Sequence, residues 1–132
     1  MKIEHVAIWV KDIDKVCEFY RKYFGGTVQP LYHNPAKQFT SRFVTFEGGT
    51  RLEIMHRPDI EGDAETSRMF HVEHLGLTHL SFSVGSKEDV DRLTQQMSDD
   101  GITIVGEPRT TGDGYYESVV LDPEGNRVEI TV

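Results

Sequence analysis

Two stretches of strictly alternating residues constrain this chain more than anything else in it. Ile3 to Val10 reads IEHVAIWV, and Leu77 to Val84 reads LTHLSFSV. Setting His5 on His79, 74 positions later, brings them into register. Val6, Ile8 and Val10 then match Leu80, Phe82 and Val84, while His5, Ala7 and Trp9 match His79, Ser81 and Ser83. Successive side chains of a strand point to opposite faces, so each stretch predicts a strand with one apolar face and a histidine on the other. Two copies of such a unit in 132 residues imply an internal duplication.

The neighbouring segments repeat in the same order. After the first strand, Ile13, Val16, Cys17, Tyr20, Tyr23 and Phe24 recur at helical spacing, with Asp12 as N-cap and Gly25-Gly26 as the stop. A strand over Thr27–Leu31, a loop over His33–Lys37 and a hairpin of Phe39–Phe46 with Arg51–Met55 follow. In the second half, Ser86 and Asp89 open a helix carrying Val90, Leu93 and Met97, which ends at Asp100-Gly101. Then come a strand over Ile102–Val105, a loop over Pro108–Gly114 and a hairpin of Glu117–Leu121 with Arg127–Val132. The closing strands align as Arg51-Leu52-Glu53 and Arg127-Val128-Glu129, now 76 positions apart. Two net insertions account for the growth from 74, and a longer second turn, Asp122 to Asn126, explains one of them. The prediction is a single α+β domain over residues 1–132. It comprises two βαβββ modules, 1–56 and 77–132, joined by an acidic connector, 57–76.

Composition narrows the functional classes. A formal charge of −8 argues against nucleic acid and anionic membrane as partners, since both select basic surfaces. Lone Cys17 can form no intramolecular disulfide, and no apolar run approaches membrane-spanning length. The expectation is a cytoplasmic protein.

Each half contributes one histidine from its first strand and one glutamate from its last. If the halves pack as pseudo-symmetric partners, His5, Glu53, His79 and Glu129 converge in one concavity. Two imidazoles and two carboxylates suit a borderline divalent metal, with nickel, cobalt or zinc foremost and iron or manganese also compatible. A structural zinc site would recruit cysteines, whereas this set leaves positions open for substrate oxygens.

HVAIWV, HLSFSV, the helix ending FYRKYFGG and the closing DPEGNRVEI together resemble the vicinal oxygen chelate superfamily, the group of glyoxalases, bleomycin-resistance proteins and extradiol dioxygenases. The resemblance spans nearly the whole chain. It implies curled sheets around a metal-containing cleft, often in a homodimer, with His5, Glu53, His79 and Glu129 as ligands. The order His, Glu, His, Glu is similar to that of glyoxalase I, which isomerises the hemithioacetal of methylglyoxal and glutathione to a thioester. There the metal favours an enediolate and a carboxylate moves the proton. Glu129, rather than Glu53, is the expected base. The small-molecule substrate is then an adduct of glutathione or another thiol. Bacterial glyoxalase I enzymes hold glutathione with an arginine and an asparagine where this chain has Trp9 and Arg57. The alternatives are thiol transfer to an antibiotic, epimerisation, dioxygenation or metal-free drug binding.

Trp9, Arg42 and Tyr116 are the candidate substrate contacts. His71 and His74 have helical metal-ligand spacing but no symmetric partner. His33 and His56 read as surface residues, although His56 is close enough in sequence to Glu53 to line the cleft, and Cys17 reads as a small apolar core residue.

Overall fold

Strand β1 (His5–Trp9) runs parallel to β5 (Arg51–His56) in a computed structural model that describes residues 1–60, 73 and 75–132. The chain divides into two units, Met1–Gly62 and Asp63–Val132. In the first, α1 (Ile13–Phe24) follows β1 and packs against β4 (Phe39–Thr45) and β5. Its start is fixed by Asp12, whose carboxylate accepts from the Lys15 amide at 2.9 Å. A cap of this kind contributes about 1 kcal/mol. Its end is fixed by Gly25, in the left-handed region at φ 65°. At the following Gly26 any Cβ would collide with the Val44 side chain, so helix and sheet meet this closely only over a glycine. Val16, Tyr20, Val44 and Ile54 are fully buried between helix and sheet. Each such side chain contributes roughly 1.5–3 kcal/mol. The sheet order is β1-β5-β4-β2, where β2 is Thr27–Val28, and β3 (Tyr32–Asn34) also pairs with β4.

The second unit has β6 (His79–Ser83), α2 (Lys87–Asp99), β7 (Ile104–Thr110), β8 (Tyr116–Leu121) and β9 (Arg127–Thr131), in the order β6-β9-β8-β7. Ser86 caps α2 by accepting from the Asp89 amide at 3.1 Å. Val90, Met97, Val120, Val128 and Ile130 fill the core. Two polar groups join them without penalty: Thr94 donates to the Val90 carbonyl, and its Oγ1 lies 2.6 Å from Ser118 Oγ.

The first and last strands match in register as well as sequence. His5, Ala7 and Trp9 face Arg51, Glu53 and Met55. His79, Ser81 and Ser83 face Arg127, Glu129 and Thr131. The protein is therefore a mixed α+β structure of two sheets, each with its helix on one face.

The hairpin turns correct one expectation. Phe46 N–H bonds the Thr50 carbonyl and Gly49 N–H the Phe46 carbonyl, and Asp122, Asn126 and Gly125 repeat both bonds. The turns are equally long, because Phe46 belongs to the turn and not to the strand. The insertions lie instead at the end of α2. The N-caps Asp12 and Ser86 are 74 positions apart, but the positive-φ glycines Gly25 and Gly101 that follow the helices are 76 apart.

Two strand ends also move. The segment from Pro108 to Thr110, expected in a loop, continues β7. This is an edge strand with a register shift beside Gly106, where a proline's missing N–H costs no central ladder bond. At the equivalent level of the first unit, Pro30 interrupts the strand altogether. The expected strand over Thr27–Leu31 ends at Val28, and His33, expected in a loop, lies in β3. His71 and His74 fall outside the described residues. Among the described residues no helix is long and apolar enough to cross a membrane.

Candidate metal centre in two matching halves

In the first unit, His5 and Glu53 share the sheet face that points away from α1. Parallel pairing puts Glu53 beside Ala7, one strand step from His5, and His5 Nε2 lies 3.9 Å from Glu53 Oε2. His5 Nδ1 is held by the Glu4 carboxylate, which also pairs with Arg51. The bond to His5, with Arg51 adding its charge, holds the Glu4 carboxyl below its usual range. An N–H at Nδ1 engaged in this way leaves the Nε2 lone pair for a cation, the orienting arrangement found around metal-bound histidines. Phe43 stands on the other side of Glu53, and its ring is edge-on to His5 at 5.6 Å.

The second unit repeats the pair. His79 Nε2 lies 3.5 Å from Glu129 Oε2, and His79 Nδ1 lies 3.1 Å from the Thr78 hydroxyl. The surroundings of the carboxylate differ. Ser81, in the place of Ala7, donates to Glu129 Oε1 at 2.6 Å. Glu117 stands against Glu129 with Arg109 behind it at 3.7 Å. Burial pushes the Glu117 carboxyl above its usual range, and the negative charge of Glu129 pushes it further.

Donor chemistry in each half fits a borderline divalent ion: one imidazole with its outer nitrogen engaged and one carboxylate facing the inner nitrogen. Among the described residues no group of three His, Cys, Asp or Glu side chains is arranged to hold a metal ion, and each unit presents one histidine–glutamate pair.

Of the substrate candidates, Trp9 shares the face of His5 and Glu53, across from Met55. Arg42 and Tyr116 do not share the faces of the pairs. Arg42 lies opposite Ile54 on the helix face, where it donates to the Gln29 carbonyl and stands 3.6 Å from Asp14. Tyr116 bonds Asp91 of α2 at 2.7 Å. His56 also leaves the Glu53 face and bonds the Val10 carbonyl. Cys17 is buried and unpaired, as expected. Ser81, Glu117, Glu4 and Thr78 were not singled out from sequence. Strand parity puts Ser81 and Glu117 on the Glu129 face, but contact between them requires the parallel register.

Residues 2–130 match the family model described as the Glyoxalase/Bleomycin resistance protein/Dioxygenase superfamily. The chain is 24% identical over 131 residues to the uncharacterized protein YqjT of Bacillus subtilis strain 168, covering 97% of this chain and 96% of that one. The crystal structure of a glyoxalase family protein from Enterococcus faecalis superposes with a TM-score of 0.77 at 26% identity, over 99% of this chain and 97% of that one. The trypanothione-dependent glyoxalase I of Leishmania major gives 0.76 at 21% identity, over 99% and 86%, a likeness of fold. The duplicated sheets, the matched histidine–glutamate pairs and the match over almost every residue agree: this chain belongs to the glyoxalase, bleomycin-resistance protein and dioxygenase superfamily.

Proposed function

We propose that the protein is a divalent-metal-dependent lyase or isomerase of the glyoxalase I type, acting on a small substrate with adjacent oxygens, such as a thiol hemithioacetal of methylglyoxal. Members of the superfamily often hold a divalent metal, act on small molecules and form dimers, and they include glyoxalase I itself. The observation that carries the reading is the repeat of one His–Glu pair, in one register, on the same face of both sheets. In this proposal His5, Glu53, His79 and Glu129 hold one ion between two modules, 1–56 and 77–132, of one chain or of two chains in a homodimer. Nickel, cobalt or zinc fits the donor set best. Such an ion supplies Lewis-acid polarisation of the adjacent substrate oxygens.

The chain's own groups handle the proton. Glu129 is the proposed base: Ser81 fixes one of its oxygens, leaving the other directed toward His79. Glu53 is the second carboxylate ligand. The assigned setting is the cytoplasm, where a single free, buried cysteine needs no oxidising partner.

The test is thioester formation from methylglyoxal with glutathione and with other thiols, using metal-loaded protein. Turnover should fall at least about 100-fold in Glu129→Gln. Metal binding without thioester formation from any thiol would overturn the lyase assignment in favour of another reaction of the superfamily.

A further inference from the structure

The face beside His5 continues into an aromatic wall. Four residues along β1 from His5, a step of roughly 13 Å, Trp9 sits edge-on to Phe39 at 6.0 Å. Tyr32 packs on the same Phe39 at 6.1 Å. Trp9 and Tyr32 nevertheless keep 41% and 55% of their surface open. With Phe43 next to His5 and Met55 across from Trp9, ring and thioether surface runs outward from the candidate metal pair. Around Glu129 the neighbours are Ser81, Val119, Glu117 and Thr131, and the second unit sets Ser83 where the first has Trp9, with the exposed Tyr115 as the counterpart of Phe39.

Among the described residues, both arginines of this face pair with an acid, although Arg51 Nε is buried without a hydrogen-bond partner. Arg57 lies over the Trp9 ring at 5.6 Å and is bound through Nε and Nη2 to Asp59. Arg51 lies over Phe43 at 4.1 Å and pairs with Glu4. Arg57 and Phe39 thus both lie against the Trp9 ring.

We infer that this wall, built on Trp9, Phe39 and Tyr32, receives the non-chelating body of the substrate, and that this body is planar and uncharged: an aromatic or conjugated group carried on a head with adjacent oxygens. The head rests on the function proposed above, whereas the wall does not depend on the metal. A peptide thiol bearing carboxylates needs accessible unpaired cations; Arg57 is bound to Asp59, and Arg51 pairs with Glu4 while its unpartnered Nε is buried. A planar ring, by contrast, gains edge and face contacts with indole and phenol at little ordering cost. A protein partner requires a broad face, about 800 Å² per side. Two open rings bordered by ion pairs match a small ring system instead.

Trp9 is the one tryptophan in the chain, so its emission reports on the wall alone. Three probes separate body from head: 4-nitrobenzohydroxamate has both, acetohydroxamate only the chelating head, and 4-nitrobenzamide only the ring. With nickel-loaded protein, the nitrobenzohydroxamate should bind about tenfold more tightly than acetohydroxamate and quench Trp9. The amide should quench Trp9 even in metal-free protein. In Trp9→Leu, with affinities read by calorimetry, the two hydroxamates should come within about threefold of each other. Equal affinities in the wild type, or an advantage that survives Trp9→Leu, would overturn the inference and leave the metal reading intact. Quenching by the amide with no hydroxamate binding at all would sink the metal reading while supporting the wall.

Discussion

Around Glu53 the first unit sets Ala7, Phe43 and, further along, Met55, Trp9 and Phe39; around Glu129 the second sets Ser81, Val119, Glu117 and Thr131. The histidine–glutamate pair, its register and the buried face behind it are common to both. What differs is chemical: the first face carries aromatic and thioether side chains and its carboxylate takes no hydrogen bond among the described residues, while the second sets Ser81 and Glu117 beside a carboxylate that is tethered. A duplicated unit can keep its histidine–glutamate geometry while the surroundings of its copies diverge. On the proposed reading, the aromatic face holds the body of the substrate and the polar face manages the proton.

The largest expected effects lie in what the halves share. Ile54 and Ile130 occupy matching, fully buried positions. Replacing either by alanine should cost about 2–5 kcal/mol of unfolding free energy in denaturant titrations. Two similar values would support equivalent cores; a cost under about 1 kcal/mol at one of them would break the equivalence.

The turns should separate more clearly. Asp122 accepts from the amides of Glu124 and Asn126 and from the Asn126 side chain, each at 2.9 Å. Phe46, at the matching place in the first turn, has no carboxylate to offer. Asp122→Ala should therefore destabilise by about 1–3 kcal/mol, read as a fall in melting temperature. A neutral result would show that the backbone bonds alone hold the turn.

Smaller effects test the difference between the carboxylates. Ser81→Ala should weaken metal binding about tenfold by releasing Glu129, and Ser81→Thr should restore most of it. Ala7→Ser, which offers Glu53 the missing donor, should leave affinity equal or improved. Unchanged affinity in Ser81→Ala would remove the tether from the account.

The smallest effect is one of pH. A carboxyl with a raised folded pKa contributes stability at low pH and loses it as pH rises through that pKa. Burial, then the charge of Glu129, raises the Glu117 pKa. In metal-free protein the wild type should therefore lose melting temperature relative to Glu117→Gln as pH rises above the ordinary carboxylate range. A difference that stays constant with pH would contradict this.

Much of this was legible in the chain. Period-2 alternation and its repeat gave β1, β6 and the parity of all four candidate ligands, because a strand's side-chain direction depends only on counting. The helices followed from apolar spacing and from the caps Asp12 and Ser86. The guanidinium fork of Arg42 and the glycine-rich loop before Tyr116 mark both as substrate contacts, but neither signal carries the parity that puts them on the helix faces. The strand break at Pro30 and the continuation through Pro108 depended on which strand is an edge, a tertiary fact. Ser81, Glu117 and Glu4 became visible only when parallel pairing set them beside their partners.

On the proposed reading, two pairs from two modules hold one ion. Nickel or zinc titration by calorimetry, with metal content measured per chain, tests it in wild type, His5→Ala and His79→Ala. Shared ligation should give one ion per chain, with affinity falling more than about 100-fold in either variant. Two independent sites per chain, or a variant that retains full affinity after losing one histidine, would contradict it.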